Sequence, residues 1–125
     1  MITTALYIAL CILTGLAIFQ ILLIAGKPLG EYAWGGQNKV LPRKLRVASI
    51  SSLFIYAGFA VLIASKAGLL PGGESAFVQV TMWVATGYFF LGIFVNAISR
   101  SKKERFLMTP VAAALALCFL IVSLT

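Results

Sequence analysis

The side chains able to do chemistry in this chain are few and unevenly placed. Lys27, Lys39, Arg43, Lys44 and Arg46 share one stretch, Arg100, Lys102, Lys103 and Arg105 share another, and Lys66 stands alone between them. The three acids, Glu31, Glu74 and Glu104, belong to three different polar connections. Histidine is absent, and Cys11 and Cys118 lie far apart in sequence. General acid–base catalysis favours a His or a tuned carboxylate within reach of substrate. The inventory therefore argues against an enzyme, and no catalytic residue is assigned. Metal sites and disulfide frameworks need clustered Cys, His or carboxylate ligands, so no metal and no cofactor is expected. The cysteines read as packing residues; whether they are neighbours is open at this level.

Cations at a helix start hold anions, because free backbone N–H groups there add to their charge. Arg43, Lys44 and Arg46 precede one apolar segment, and Arg100 and Arg105 stand at the start of another. Between the first two segments, Trp34 in Tyr32-Ala33-Trp34-Gly35-Gly36 is an amphipathic aromatic suited to headgroup depth. The expected ligand or lipid-headgroup residues are therefore Trp34, Arg43, Lys44, Arg46, Arg100 and Arg105. An anionic surface rewards each such cation by about 1 kcal/mol. The same cations also serve as topology anchors. Their excess over acids predicts that the first loop folds back on the start of the fourth segment. Glu31 would then meet a cation of the third loop, and the Trp34 indole N–H would stay free for a phosphate or carbonyl. Gln20, Ser49, Ser52 and Asn96 form a second set, readable as a polar vestibule on the same side or as hydrogen-bond glue between helices.

The elements that position these residues are apolar and long. Of 125 residues, 62% are hydrophobic and 10% charged, against roughly 45–50% and about 25% in soluble domains. Segments at approximately 3–25, 47–66, 76–99 and 102–124 are each long enough to cross a bilayer, which takes about 20 residues. Inside hydrocarbon the backbone must satisfy itself within the segment, which selects helices. The expected fold is all-α: one domain over residues 1–125, an antiparallel bundle of four transmembrane helices. The first apolar run is too long for a signal-peptide core and no cation precedes it, so it reads as a retained helix. Gly26 with Pro28, and Gly68 with Pro71, are helix stop signals. Pro42 stands where the second helix would start. Ser101-x-x-Glu104 is a capping-box pattern, which would leave Pro110 inside the fourth helix as a kink. Small residues recur at helical spacing: Ala5 and Ala9; Ala60, Ala64 and Gly68; Thr81, Ala85, Gly92 and Asn96, with Tyr88; Ala112 and Ala116. These stripes are expected to face inward, since lipid-embedded helices associate through close approach.

Charge sets the orientation. The first loop carries five cations against Glu31, a balance of +4. The third carries four against Glu104, a balance of +3, and the second is neutral. Short cation-rich loops stay inside, which places both termini outside. The high isoelectric point, about 9.9, is then a topology signal, and no nucleic-acid partner is expected. Small multidrug-resistance transporters have a similar size and helix count but depend on a carboxylate in the first helix. This chain has Gln20 there and no acid.

The chain also resembles a family of small, uncharacterised bacterial four-helix integral membrane proteins. Gly30, Trp34, Gly35, Gly36, Leu41 and Pro42 carry the resemblance in the first loop. Asn96, Ser99, Ser101, Glu104, Arg105, Thr109 and Pro110 carry it in the third loop and beyond. Related sequences often have His where Asn38 stands. The resemblance implies a bacterial cell-membrane protein and supplies no activity. Taken together, the readings predict a non-enzymatic multi-pass protein of the cell (inner) membrane. Its basic face, loops 26–46 and 100–105, would bind anionic lipid headgroups, a small anion or a partner. The alternative is a small transporter or channel subunit acting as a homo-oligomer.

Overall fold

Four helices account for the chain: α1 (Ile2–Ile24), α2 (Arg43–Lys66), α3 (Ala76–Ala97) and α4 (Lys102–Ser123). The computed structural model describes all of residues 1–125 and contains no strand. Each helix is long and apolar enough to cross a membrane. Only 24 of the 125 residues are buried, and large apolar side chains such as Phe54, Phe77 and Phe94 point outward at 64–76% exposure. That outer surface suits hydrocarbon as solvent, and the chain is a multi-pass membrane protein.

Local chemistry sets the helix ends. α1 closes on Gly26 (φ 88°) and α2 on Gly68 (φ 91°), both in the left-handed region that glycine tolerates. In each case two backbone bonds cap the last carbonyls: Gly26 N–H to Leu23 and Lys27 N–H to Leu22, then Gly68 N–H to Ser65 and Leu69 N–H to Ala64. Ser75 caps α3 by accepting from Val78 N–H at 3.1 Å. α2 begins at Arg43, directly after extended Pro42, and so earlier than its apolar stretch. Arg43, Lys44 and Arg46 are thus inside its first turn. Pro110 lies within α4, which runs unbroken through it; Pro110 has no N–H to give the Phe106 carbonyl one turn back.

Packing centres on α4. It contacts α1, α3 and the first loop, whereas α2 and α3 touch each other least among neighbouring helices. The small-residue stripes do face inward: Ala5, Ala9, Ala64, Ala85, Ala112 and Ala116 are all buried. Two members do not. Gly68 lies beyond α2 and is exposed, and Tyr88 sits at 57% exposure, stacked beside Phe59. Phe59, Phe89 and Phe119 form an aromatic cluster with centroids 4.8–5.9 Å apart. Such pairs add about 0.5–1.5 kcal/mol beyond area burial. Cys118 belongs to this core while Cys11 is exposed, and no disulfide joins them.

The two faces of α3 give a test. Ala85 is 3% exposed and Leu91 62%, while Ile93 packs against the core. Ala85→Leu should overpack the α3–α4 seam and cost roughly 1–3 kcal/mol. Leu91→Ala should be nearly neutral. Thermal unfolding in mild detergent reads both; equal losses would place Ala85 outside the packed seam.

Candidate functional site

The first loop is built from two 3-10 turns, Gly30–Tyr32 and Trp34–Gly36. Gly30 closes it: its N–H donates to the Lys39 carbonyl at 2.8 Å, and a side chain at this position would collide with the Asn38 and Lys39 carbonyls. Next come three consecutive left-handed residues, Trp34 (φ 52°), Gly35 (φ 77°) and Gly36 (φ 71°). The conformation is easy for glycine but costs a residue with a Cβ about 1–2 kcal/mol. Trp34 is held in it from α2. Its indole N–H donates to Ser49 Oγ at 3.2 Å, and Ser49 on α2 is fully buried.

That bond corrects one expectation: the indole N–H is committed to α2 and is not free for a phosphate. The expected docking of the first loop onto the start of α4 is present, and Ser101 is its centre. Ser101 Oγ accepts from Glu104 N–H at 3.2 Å, capping α4, and donates to the Glu31 carbonyl. Gly36 presses so closely on Ser101 that any side chain there would overlap it. A closed capping box would return the Glu104 carboxylate to the Ser101 N–H. Here Ser101 N–H turns to Ser99 Oγ instead, and Glu104 Oε2 accepts from Gly35 N–H at 3.1 Å. Glu31 Oε2 meets Lys103 Nζ at 2.7 Å, and the same ammonium stands 5.7 Å from the Tyr32 ring centre. The Lys103 hydrogen bond, and then its charge, hold the Glu31 carboxyl below the usual glutamate range. Both partners are substantially exposed, so the pair orients the loop more than it stabilises it.

The structure divides the expected anion-binding residues. Arg43, Lys44 and Arg100 are exposed and make no ion pair. Arg46 is a structural staple. Its Nε donates to the Leu41 carbonyl at 2.8 Å, and its guanidinium lies over Gly26 at the end of α1, where a cation complements the helix dipole. The Arg105 guanidinium stacks on Phe106, 5.3 Å from the ring centre. Reading the sequence alone missed Lys103 as the ion-pair partner and Glu104 as the ligand for the first loop. The Ser-x-x-Glu pattern marked Glu104, but its real partner is 69 positions away.

Beneath the docked loop lies a cavity of about 430 Å³. All four helices wall it, and Tyr32, Ala33, Trp34 and Gly35 roof it. Of the vestibule residues, Gln20, Ser52 and Asn96 line it together. Ser49 does not, because it is buried behind Trp34. Ser52 Oγ and Asn96 Nδ2 donate to carbonyls on their own helices, Ala48 and Gly92. Gln20 Nε2 donates to Tyr56 OH at 3.3 Å, while its Oε1 is buried without a partner. Glu104 is the only charged residue in the lining, which is otherwise mostly apolar.

Gly35 and Gly36 share a positive φ, but only Gly36 faces a neighbour. Gly35→Ala should cost about 1–2 kcal/mol in backbone strain. Gly36→Ala should add an overpacking cost of roughly 1–3 kcal/mol against Ser101 and release the loop. Trp34 emission, read in a Trp83→Phe background, should shift to longer wavelength for Gly36→Ala and much less for Gly35→Ala. Equal shifts would refute the contact with Ser101.

No protein-family model, curated protein or solved structure matches the chain.

Proposed function

We propose that this is a non-enzymatic protein of the bacterial cell (inner) membrane whose basic face binds anionic lipid headgroups. Loops 26–46 and 100–105 lie on the cytoplasmic side in this reading, and both termini lie outside. The orientation is supported by charge: nine of the ten cations sit on one face of the bundle, the side that insertion keeps inside. The observation that carries the binding reading is that only Lys103 among those nine has a carboxylate partner. Arg43 and Lys44 in the first turn of α2, and Arg100 just before α4, are exposed at the end of the bundle where Ser101 and Glu104 lock the first loop. A fixed array of unpaired cations repels itself unless phosphates or counterions screen it. Headgroup phosphates supply that screening at the depth where these side chains stand.

The transporter or channel alternative requires a polar path through the bundle. The cavity supports only its first half, since Phe89 and Leu115 line its inner end and belong to the packed core.

The triple variant Arg43→Gln, Lys44→Gln, Arg100→Gln removes the unpaired cations and leaves the clasp intact. At about 1 kcal/mol per cation, its preference for phosphatidylglycerol over phosphatidylcholine should fall on the order of a hundredfold. Native mass spectrometry from mixed-lipid nanodiscs measures retained lipid of each kind. An unchanged preference in the triple variant would reduce these cations to topology anchors. Arg46→Gln should behave differently, lowering thermal stability through the lost bond to Leu41 with little change in lipid preference.

A further inference from the structure

The cavity under the clasp has the wrong charge for the ligand that suits the surface above it. No Lys or Arg lines it, and its one charged group is the Glu104 carboxylate. A phosphate entering there would meet a buried anion with no cation beside it, which is unfavourable in low dielectric. Two polar groups instead ask for a donor. Gln20 is 6% exposed, lines the cavity, and keeps Oε1 without a hydrogen bond; a buried acceptor left unmatched is costly, and this one is closed to the cavity until the side chain turns toward a donor there. Glu104 is 9% exposed and uses Oε2 for Gly35 N–H, which fixes the carboxylate and leaves acceptor capacity for a second donor. Aromatic rings complete the surroundings: Tyr32, Trp34, Tyr56 and Tyr88 all line the space, and their faces attract a cation.

The cavity is also open on one side. Tyr88, Leu91 and Val95 line it yet are 57%, 62% and 54% exposed. They lie at helical spacing on one face of α3, beside the thinly packed α2–α3 seam. The opening therefore faces the hydrocarbon and not the water. A volume of about 430 Å³ falls within the roughly 300–1,000 Å³ usual for small-molecule sites.

We propose that this cavity binds an amphiphilic amine: an ammonium head between Glu104 and Gln20 Oε1 beneath the Trp34 roof, and an aliphatic chain leaving between α2 and α3 into the bilayer. The site lies beneath the headgroup-binding surface, under the Trp34 roof, and uses none of its cations. The ammonium N–H groups supply the donor that Gln20 Oε1 lacks once its side chain turns, and a second donor for Glu104 beside the Gly35 N–H. The carboxylate and the rings select the cation, and the lateral opening selects an amphiphile over a small polar amine.

Decylamine, decanol and decyl sulfate, titrated against the Trp83→Phe protein in phosphatidylcholine nanodiscs, form the test, with Trp34 emission as readout. Decylamine should give a saturable shift and raise the unfolding temperature; decanol should bind at least tenfold more weakly, and decyl sulfate should give no saturable response. Glu104→Gln keeps an acceptor for Gly35 N–H, so the roof stays in place, and should weaken decylamine at least tenfold. Gln20→Leu should also weaken decylamine; it removes the unmatched acceptor and the bond to Tyr56 together, so amine affinity is the readout for this variant. A site filled by water alone would show no saturable amine response, and that result overturns the proposal. It is overturned equally if decylamine and decanol bind alike, or if Gln20→Leu leaves amine binding intact, the signature of helix glue.

Discussion

Ser101 Oγ joins the two basic loops, and the rest of the membrane-interface architecture depends on it. It caps α4 through Glu104 N–H and grips the Glu31 carbonyl of the first loop. With the cap made, Glu104 stands in the first turn of α4, where its carboxylate can take the Gly35 N–H. With the loop gripped, Gly36 lies flat on Ser101 and the left-handed turn carries the Trp34 indole to Ser49 on α2. Two helices that barely touch along their length, α2 and α4, are thereby bridged at one end by a loop. The requirement behind this is general: backbone groups at a membrane boundary need partners, and the loop finds them in protein.

The clasp also sorts charge. Arg43, Lys44 and Arg100 are turned outward, while Glu104 is turned inward to the cavity. A basic exterior and an acidic interior thus meet across one turn of loop. Neither could be inferred from the net charge of +7, which averages over both.

Much of the fold was legible because it follows from local rules. Helix stops at Gly26 and Gly68, the cap at Ser101 and the inward Ala5, Ala9, Ala112 and Ala116 all depend on residue type and spacing within one element. The apolar window of the second helix opens only at residue 47 because it reports burial in lipid, whereas Pro42 marked the start of the helix itself, and α2 runs from Arg43. The site was legible in part. The docking of the first loop and the Glu31 ion pair followed from charge balance, though not the identity of Lys103. The polar atoms of Trp34 and Arg46 were read as free for a ligand because side-chain direction depends on dihedrals that residue type does not fix; Trp34 (φ 52°) instead carries its indole N–H to Ser49, and Arg46 reaches the Leu41 carbonyl. Glu104 looked like an ordinary cap partner because its acceptor role needs a backbone N–H from a distant loop. Gly30, Trp34, Gly35, Gly36, Ser99, Ser101 and Glu104 together make the clasp.

The central claim is that the first loop is locked onto α4, with the Trp34 indole N–H tied to buried Ser49 on α2 while the ring stays 40% exposed. Hydrogen exchange of the Trp34 indole N–H tests this directly, in 15N-tryptophan-labelled protein with Trp83→Phe removing the second signal. The locked loop predicts exchange slowed by several orders of magnitude relative to free indole, since the proton leaves only when the clasp opens. Exchange at the rate of a free indole would contradict the account.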